Sequence, residues 1–313
     1  MSHLSKWGSA CLAAALALAS VAPAGAISNG TIDDPNNPRY PYVGTFALHA
    51  SGATGVSVGW YTGTMIAPDV LLTWGGVARV IRWYKDTGWI DQAWVVLSPL
   101  ITTLPYPYPY DQWPPAGTPA IELDLDRIYI RPATVAFPGG SLQTDPPNVG
   151  HMSENFGDIG LIGLKQNYEG PLPELPSAGM LDDLSARNGL GDAIFGIAGY
   201  GGDFVFDPGQ GPYATYPWSD RRFATSSYMA SGPEFLFLHM NEHQGNGGIC
   251  AGFSGGDSGG PAIMTQCGSD GACKDVIFGM ALYSDTRCRA RGEYLRLDTP
   301  SVREFLSPHV TLP

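Results

Sequence analysis

Gly255-Gly256-Asp257-Ser258-Gly259-Gly260-Pro261 is the stretch from which the rest of the chain is read. Four glycines in seven residues permit tight turns and close backbone approaches that a Cβ would block. They flank one carboxylate and one hydroxyl, and a serine hydroxyl becomes a nucleophile when a neighbouring base accepts its proton. Ala262 to Met264 are apolar and read as a strand, so the Asp-Ser pair sits on a turn at the head of a β-strand.

Outward from this turn the chain shows many short apolar runs broken by Gly, Pro, Asn and Asp, over residues 42–49, 56–66, 69–73, 93–97, 127–131, 158–164, 194–199, 235–240, 260–264 and 276–283. Runs of that length predict strands, and 41 glycines with 27 prolines predict long connecting loops, so the fold class is all-β. One short helical pattern is expected, in the tail from Thr299, with Pro300 in its first turn and Pro308 as its stop. Residues 104–119 alternate proline with aromatics and predict an extended loop, read as a surface segment whose rings pack on the barrel in preference to a binding ledge. Residues 201–220 predict a second long loop near the mouth of the cleft.

Residues 1–26 carry Lys6, an alanine-rich apolar core from Ala10 to Ala22, and then Ala24-Gly25-Ala26. That is the pattern of a secretory signal peptide with a small-residue cleavage site, and the apolar core is too short for a spanning helix. Cleavage after Ala26 leaves residues 27–313, a chain of 287 residues. The whole sequence has a formal charge of −12, and since the leader carries one lysine and no acid, the mature chain stands at −13. Nucleic acid and anionic membranes are therefore not expected partners, and no membrane anchor is expected. Four cysteines remain after cleavage, an even number in an exported chain, which predicts two disulfides; Cys267 and Cys273 would close a Gly-Ser-Asp-Gly-Ala loop between adjacent strands. No spacing resembles a metal site, and no cofactor is expected.

The run 255–261 resembles the nucleophile loop of the chymotrypsin-like (trypsin-family) serine peptidases. In that chemistry a serine hydroxyl attacks a carbonyl, a histidine takes its proton, and backbone N–H groups hold the oxyanion. The resemblance implies Ser258 as nucleophile, the N–H groups of Gly256 and Ser258 as the oxyanion hole, and Asp257 as the buried carboxylate that pairs with a free N-terminal ammonium. Ile27-Ser28-Asn29-Gly30 resembles the start of an active chain of that family, so Ile27 would supply the ammonium once signal peptidase has cut. Phe156-Gly157-Asp158-Ile159-Gly160-Leu161 resembles the strand whose aspartate orients the histidine, which implies that role for Asp158. Ala198-Gly199-Tyr200-Gly201 matches a further turn, and Cys288 to Thr299 resembles the final pocket strand.

The departure lies at the base. Tyr61-Thr62-Gly63-Thr64-Met65-Ile66-Ala67-Pro68-Asp69-Val70-Leu71-Leu72-Thr73-Trp74-Gly75-Gly76-Val77 resembles the strand pair that ends in the catalytic histidine, and Gly76 stands where that histidine belongs. Both cysteines that would flank the segment are replaced, by Tyr61 and Val77, which supports the register. His151 and His243 are the alternative bases in loops, whereas His49 and His239 fall in expected strands.

The resemblance also implies a Cys250–Cys288 disulfide beside the nucleophile loop. Cys250 lies eight residues before Ser258, where the family places it four before. The pocket base is therefore Gly248 when counted from Cys250 and Gly252 when counted from Ser258, with Gly292 on the pocket wall. Neither base residue is acidic, so a preference for Arg or Lys is not expected. The implied fold is a double six-stranded antiparallel β-barrel with a short C-terminal helix, divided near residues 175–190. The expected function is a secreted, monomeric homologue of these peptidases, catalytically impaired, that binds a peptide or protein between its barrels; the alternative is an active endopeptidase with a non-standard base. Asn29-Gly30-Thr31 is a glycosylation sequon if the host is eukaryotic.

Overall fold

The structure is a computed structural model; it describes residues 27–104, 107–131, 158–201, 203–207, 211–216, 219–241, 244–251, 256–268, 270–285 and 290–313. The expected signal peptide, His151, His243, Gly252 and Cys288 lie outside these residues.

Two short strands, β1 (Ile27–Ser28) and β2 (Thr31–Ile32), precede the first barrel. That barrel begins with β3 (Val43–Ala50), β4 (Gly55–Ala67) and β5 (Val70–Trp74), then helix α1 (Gly75–Asp86). It continues with β6 (Ile90–Val96), the short β7 (Tyr108–Pro109), β8 (Ala120–Arg131) and β9 (Ile159–Leu164). The strand order is β3-β6-β8-β9-β5-β4, closed by pairing of β3 with β4, and β7 adds to β4.

Helix α2 (Met180–Ala186) leads into the second barrel through β10 (Ile194–Gly199), a hairpin of β11 (Asp203–Asp207) and β12 (Gly211–Tyr216), and β13 (Arg222–Ser231). It ends with β14 (Phe235–His239), β15 (Gly248–Ile249), β16 (Pro261–Cys267), β17 (Cys273–Ser284), β18 (Arg291–Arg296) and helix α3 (Pro300–Leu306). The order β10-β16-β17-β18-β14-β13 closes through β10 and β13, with β2 added at β13. Two closed six-stranded antiparallel barrels with a short C-terminal helix are the expected architecture. Closure removes the open edges that a sheet of this size would otherwise present.

Burial explains the closure. Phe46, Val58, Met65, Leu71, Leu123 and Ile162 converge inside the first barrel, while Ile197, Leu236, Phe278 and Tyr294 fill the second. Val302 and Leu306 of α3 pack into the same core as the first barrel, so the tail is a structural clamp. The barrels are also joined by charge. Arg221, fully buried, donates from Nε to Asp33 Oδ2 at 2.8 Å and from Nη1 to the carbonyl oxygens of Val43 at 2.6 Å and Leu97 at 3.1 Å. A guanidinium so placed is tolerable only because a carboxylate and carbonyls replace its water.

Two helices go beyond the single one expected. Helix α1 starts at Gly75-Gly76 without a side-chain cap, and its Val77, Val80 and Ile81 are weak helix formers, so local preference hides it. Tertiary packing overrides that preference: Val77, Ala78 and Ile81 are buried on one face, and Gly160 of β9 lets the helix settle against the sheet, since a Cβ there would lie 2.5 Å from Ala78 Cβ. Helix α2 is a seven-residue segment with only Leu181 buried, too short to produce a readable period.

Loop expectations divide in the same way. The hairpin β11–β12 occupies much of the stretch expected as a loop at 201–220. In the Pro-aromatic segment, Tyr110 stacks on His49 with ring centroids 3.7 Å apart, and Trp113 meets Trp94 edge-on at 5.8 Å. The rings cover barrel surface, the packing reading of that segment.

Candidate functional site

The turn at residues 256–260, between β15 and β16 in sequence, lies against Thr62 and Thr64 of β4 in the first barrel. Gly259 has φ +93°, and a Cβ there would lie 2.1 Å from the Thr62 carbonyl oxygen, so only glycine fits. Gly256 has φ +75°, in the left-handed region that favours glycine. Ser258 is fully buried, and its carbonyl accepts the Thr62 N–H at 3.2 Å.

Asp257 is buried beneath the loop. Its Oδ2 accepts the Cys250 N–H at 2.8 Å and its Oδ1 accepts the Gly201 N–H at 2.9 Å. Burial pushes this carboxyl well above its ordinary range, and the two N–H groups only partly oppose the shift. Tyr294 lies close enough for the Asp257 charge to raise its phenol, which burial raises first. Ile27 is fully buried and pairs with Ile249, the residue before Cys250. The new N-terminus expected after cleavage is thus one ladder position from the Cys250 amide that holds Asp257.

Asp158 sits at the entrance to β9. Ile159, next in sequence, pairs with Trp74 of β5 on one side and Arg131 of β8 on the other, so Asp158 falls between the end of β8 and the Gly75-Gly76 turn. The carboxylate does not face the void that loss of a histidine would leave. Arg131 Nε donates to Oδ1 at 3.0 Å and Nη2 to Oδ2 at 2.7 Å, a two-pronged pair in which both side chains are only 7% exposed. A planar guanidinium matches a carboxylate in this way, and it supplies the cation an imidazolium would otherwise provide.

The space above Gly76 is also taken. A Cβ at Gly76 would lie 2.7 Å from Cη2 and Cζ2 of Trp74 and 2.8 Å from its Cε2. Trp74 is buried and tilts against Tyr61, ring centroids 6.2 Å apart, and burial pushes the Tyr61 phenol up to about 12, with Tyr84 contributing. Tyr61 and Trp74 pack on each other, and Trp74 fills the space beside Gly76.

The described histidines are engaged elsewhere. His49 lies in β3, with Nδ1 2.5 Å from Asp91 Oδ1 and Nε2 3.0 Å from the Ala53 carbonyl oxygen. His239 pairs in β14 with Arg291 of β18. His309 lies against Tyr129 beyond α3, its imidazole held low by burial and by Arg127.

Gly248 lies in β15, paired with Ser28, and Gly292 in β18, and both are buried. A Cβ on Gly292 would meet Tyr294 at 3.0 Å, Ile249 at 3.2 Å and Met240 at 3.3 Å, so Gly292 lies in an apolar neighbourhood. Cys267 is bonded to Cys273, as expected. Cys250 is disulfide-bonded. Among the described residues no group of three or more His, Cys, Asp or Glu could hold a metal ion, and no helix is long and apolar enough to cross a membrane.

Two residues were not singled out from sequence: Arg131 and Thr62. Arg131 carried a faint signal, a charge closing the alternating Arg127-Ile128-Tyr129-Ile130-Arg131 run on the side of the sheet away from the isoleucines. Thr62 carried none.

No protein-family model matches the chain, and none of the curated proteins is similar to it.

Proposed function

We propose that this chain is a secreted homologue of the trypsin-family serine peptidases that has lost peptidase catalysis and binds a peptide or protein in the cleft between its barrels. The observation that carries the reading is the buried bidentate pair of Asp158 with Arg131, beside a Gly76 whose side-chain space Trp74 occupies. A triad aspartate acts by orienting an imidazole, and here its carboxylate is committed to a guanidinium, which offers hydrogen-bond donors only and cannot serve as a base. Loss of the histidine alone costs about a millionfold in turnover, while oxyanion hole and binding retain roughly 10³ to 10⁴ over water.

Support for retained binding comes from the loop itself. Gly256, Asp257, Ser258 and Gly259 are kept in a fixed turn against Thr62 of the first barrel, and this retained turn supports binding at the seam of the barrels; Ser258 itself is fully buried, which further favours the loss of catalysis. The deciding experiment is hydrolysis of denatured casein and of a peptide mixture by purified protein, alongside labelling by a fluorophosphonate. Turnover at the level of an uncatalysed control, with labelling no faster than in Ser258→Ala, is the expected result. Robust turnover that vanishes in Ser258→Ala would establish an active endopeptidase and direct the search for its base to His151 and His243.

A further inference from the structure

Thr62 lies on β4 of the first barrel, yet its hydrogen bonds go mainly to the second. Its N–H donates to the Ser258 carbonyl at 3.2 Å, and its hydroxyl donates to the Gly256 carbonyl at 2.9 Å while accepting the Tyr200 N–H at 3.0 Å. Its own carbonyl accepts the Thr73 hydroxyl at 2.8 Å, which anchors it to β5. Two residues along, the Thr64 hydroxyl donates to the Gly259 carbonyl at 3.2 Å. Thr62, Thr64 and Thr73 are all fully buried, so no water competes for these bonds.

The consequence for the nucleophile loop is geometric. A peptide unit is planar and trans, so fixing its carbonyl also fixes the direction of the next residue's N–H. The Gly256 carbonyl is held by the Thr62 hydroxyl, the Asp257 carbonyl by the Gly260 N–H at 2.9 Å, the Ser258 carbonyl by the Thr62 N–H and the Gly259 carbonyl by the Thr64 hydroxyl. Four consecutive peptide planes are set, two of them by Thr62.

We infer that Thr62 is a positioning residue of the nucleophile loop: from the neighbouring barrel it fixes the peptide planes on both sides of the Asp257-Ser258 pair. The inference rests on reading residues 255–261 as a nucleophile loop and on no assumption about turnover.

Hydrogen–deuterium exchange read by mass spectrometry tests it, since loop opening is measured whether or not the protein cleaves anything. Thr62→Val keeps the shape and loses the hydroxyl, and should speed exchange in the segment 256–260 by about tenfold or more relative to Ile277–Gly279 of β17. Thr62→Ser keeps the hydroxyl and should restore the original protection. Should Thr62→Val fail to fold, Thr64→Val removes only the bond to Gly259 and should loosen the same segment more mildly. Unchanged loop exchange in whichever valine variants fold, or loss of protection in Thr62→Ser equal to that in Thr62→Val, would overturn the inference. Failure of the proposed binding function would leave these exchange rates untouched.

Discussion

The guanidinium of Arg131 holds both oxygens of the Asp158 carboxylate, at 3.0 and 2.7 Å, with both side chains largely buried. Strand register puts it there: Ile159, next to Asp158, lies opposite Arg131, so the last residue of β8 and the residue before β9 meet side by side. An aspartate in this position can hold a cation of either kind, and this chain supplies one that cannot carry a proton back and forth.

The pair should be far more costly to break than to replace. Arg131→Leu leaves a buried, unpaired carboxylate and should destabilise the protein by about 3–5 kcal/mol, whereas Arg131→Met with Asp158→Leu should fall close to the original stability. Urea unfolding of both single variants and the double variant measures the coupling. Equal destabilisation by the single and double variants would remove the pair from the account of this site.

On the proposed function, supplying a base at position 76 takes more than one substitution. Gly76→His alone places Cβ inside the Trp74 ring system and leaves Asp158 occupied, so it should lower the melting temperature and yield no turnover. Gly76→His combined with Trp74→Ala and Arg131→Leu clears the volume and frees the carboxylate. Ester hydrolysis by this triple variant should exceed that of Gly76→His by about 10² or more, the ordinary worth of a positioned general base. Steady-state kinetics on a p-nitrophenyl ester at mildly alkaline pH, with Ser258→Ala in each background, reads the difference.

The buried Asp257 should make stability depend on processing and on pH. Its carboxyl is raised above the ordinary value of 3.8 by burial, so the folded state binds the extra proton. That stabilisation is complete below the unfolded value and is lost as pH rises through the folded one. The form retaining residues before Ile27 should therefore become less stable as pH climbs from about 4 toward neutrality. The form starting at Ile27 brings an ammonium to the same region and should show a weaker slope, and Asp257→Asn in the longer form should flatten it. Thermal melts across that pH range decide the matter, and parallel slopes in both forms would count against an Ile27–Asp257 ion pair.

The disulfide framework gives a separate check. Peptide mapping without reductant should recover Cys267 joined to Cys273, and Cys250 joined to Cys288. Replacing Cys267 and Cys273 by serine releases only a short loop, a loss of about 2 kcal/mol on the chain-entropy argument. Finding Cys250 attached to a different cysteine would undo the register that places Gly248 at the pocket base.

Sequence by itself determined the features that depend on neighbours along the chain. Short apolar runs between glycines and prolines predict strands, the 255–261 run predicts a tight polar turn before β16, and Gly76 stands out because the residues around it keep a recognisable spacing. Only the tertiary structure decided what surrounds those features. Arg131 meets Asp158 across 27 residues of chain, and Thr62 meets Gly256 across 194, because barrel closure sets strand register and register selects the partners. Helix α1 was invisible for the same reason: two glycines and three β-branched residues oppose it locally, and it forms because Val77, Ala78 and Ile81 gain a buried face against β9. Local chemistry names the groups a site contains, but the energy of burying a charge or a hydroxyl is settled by whichever distant residue the fold places against it.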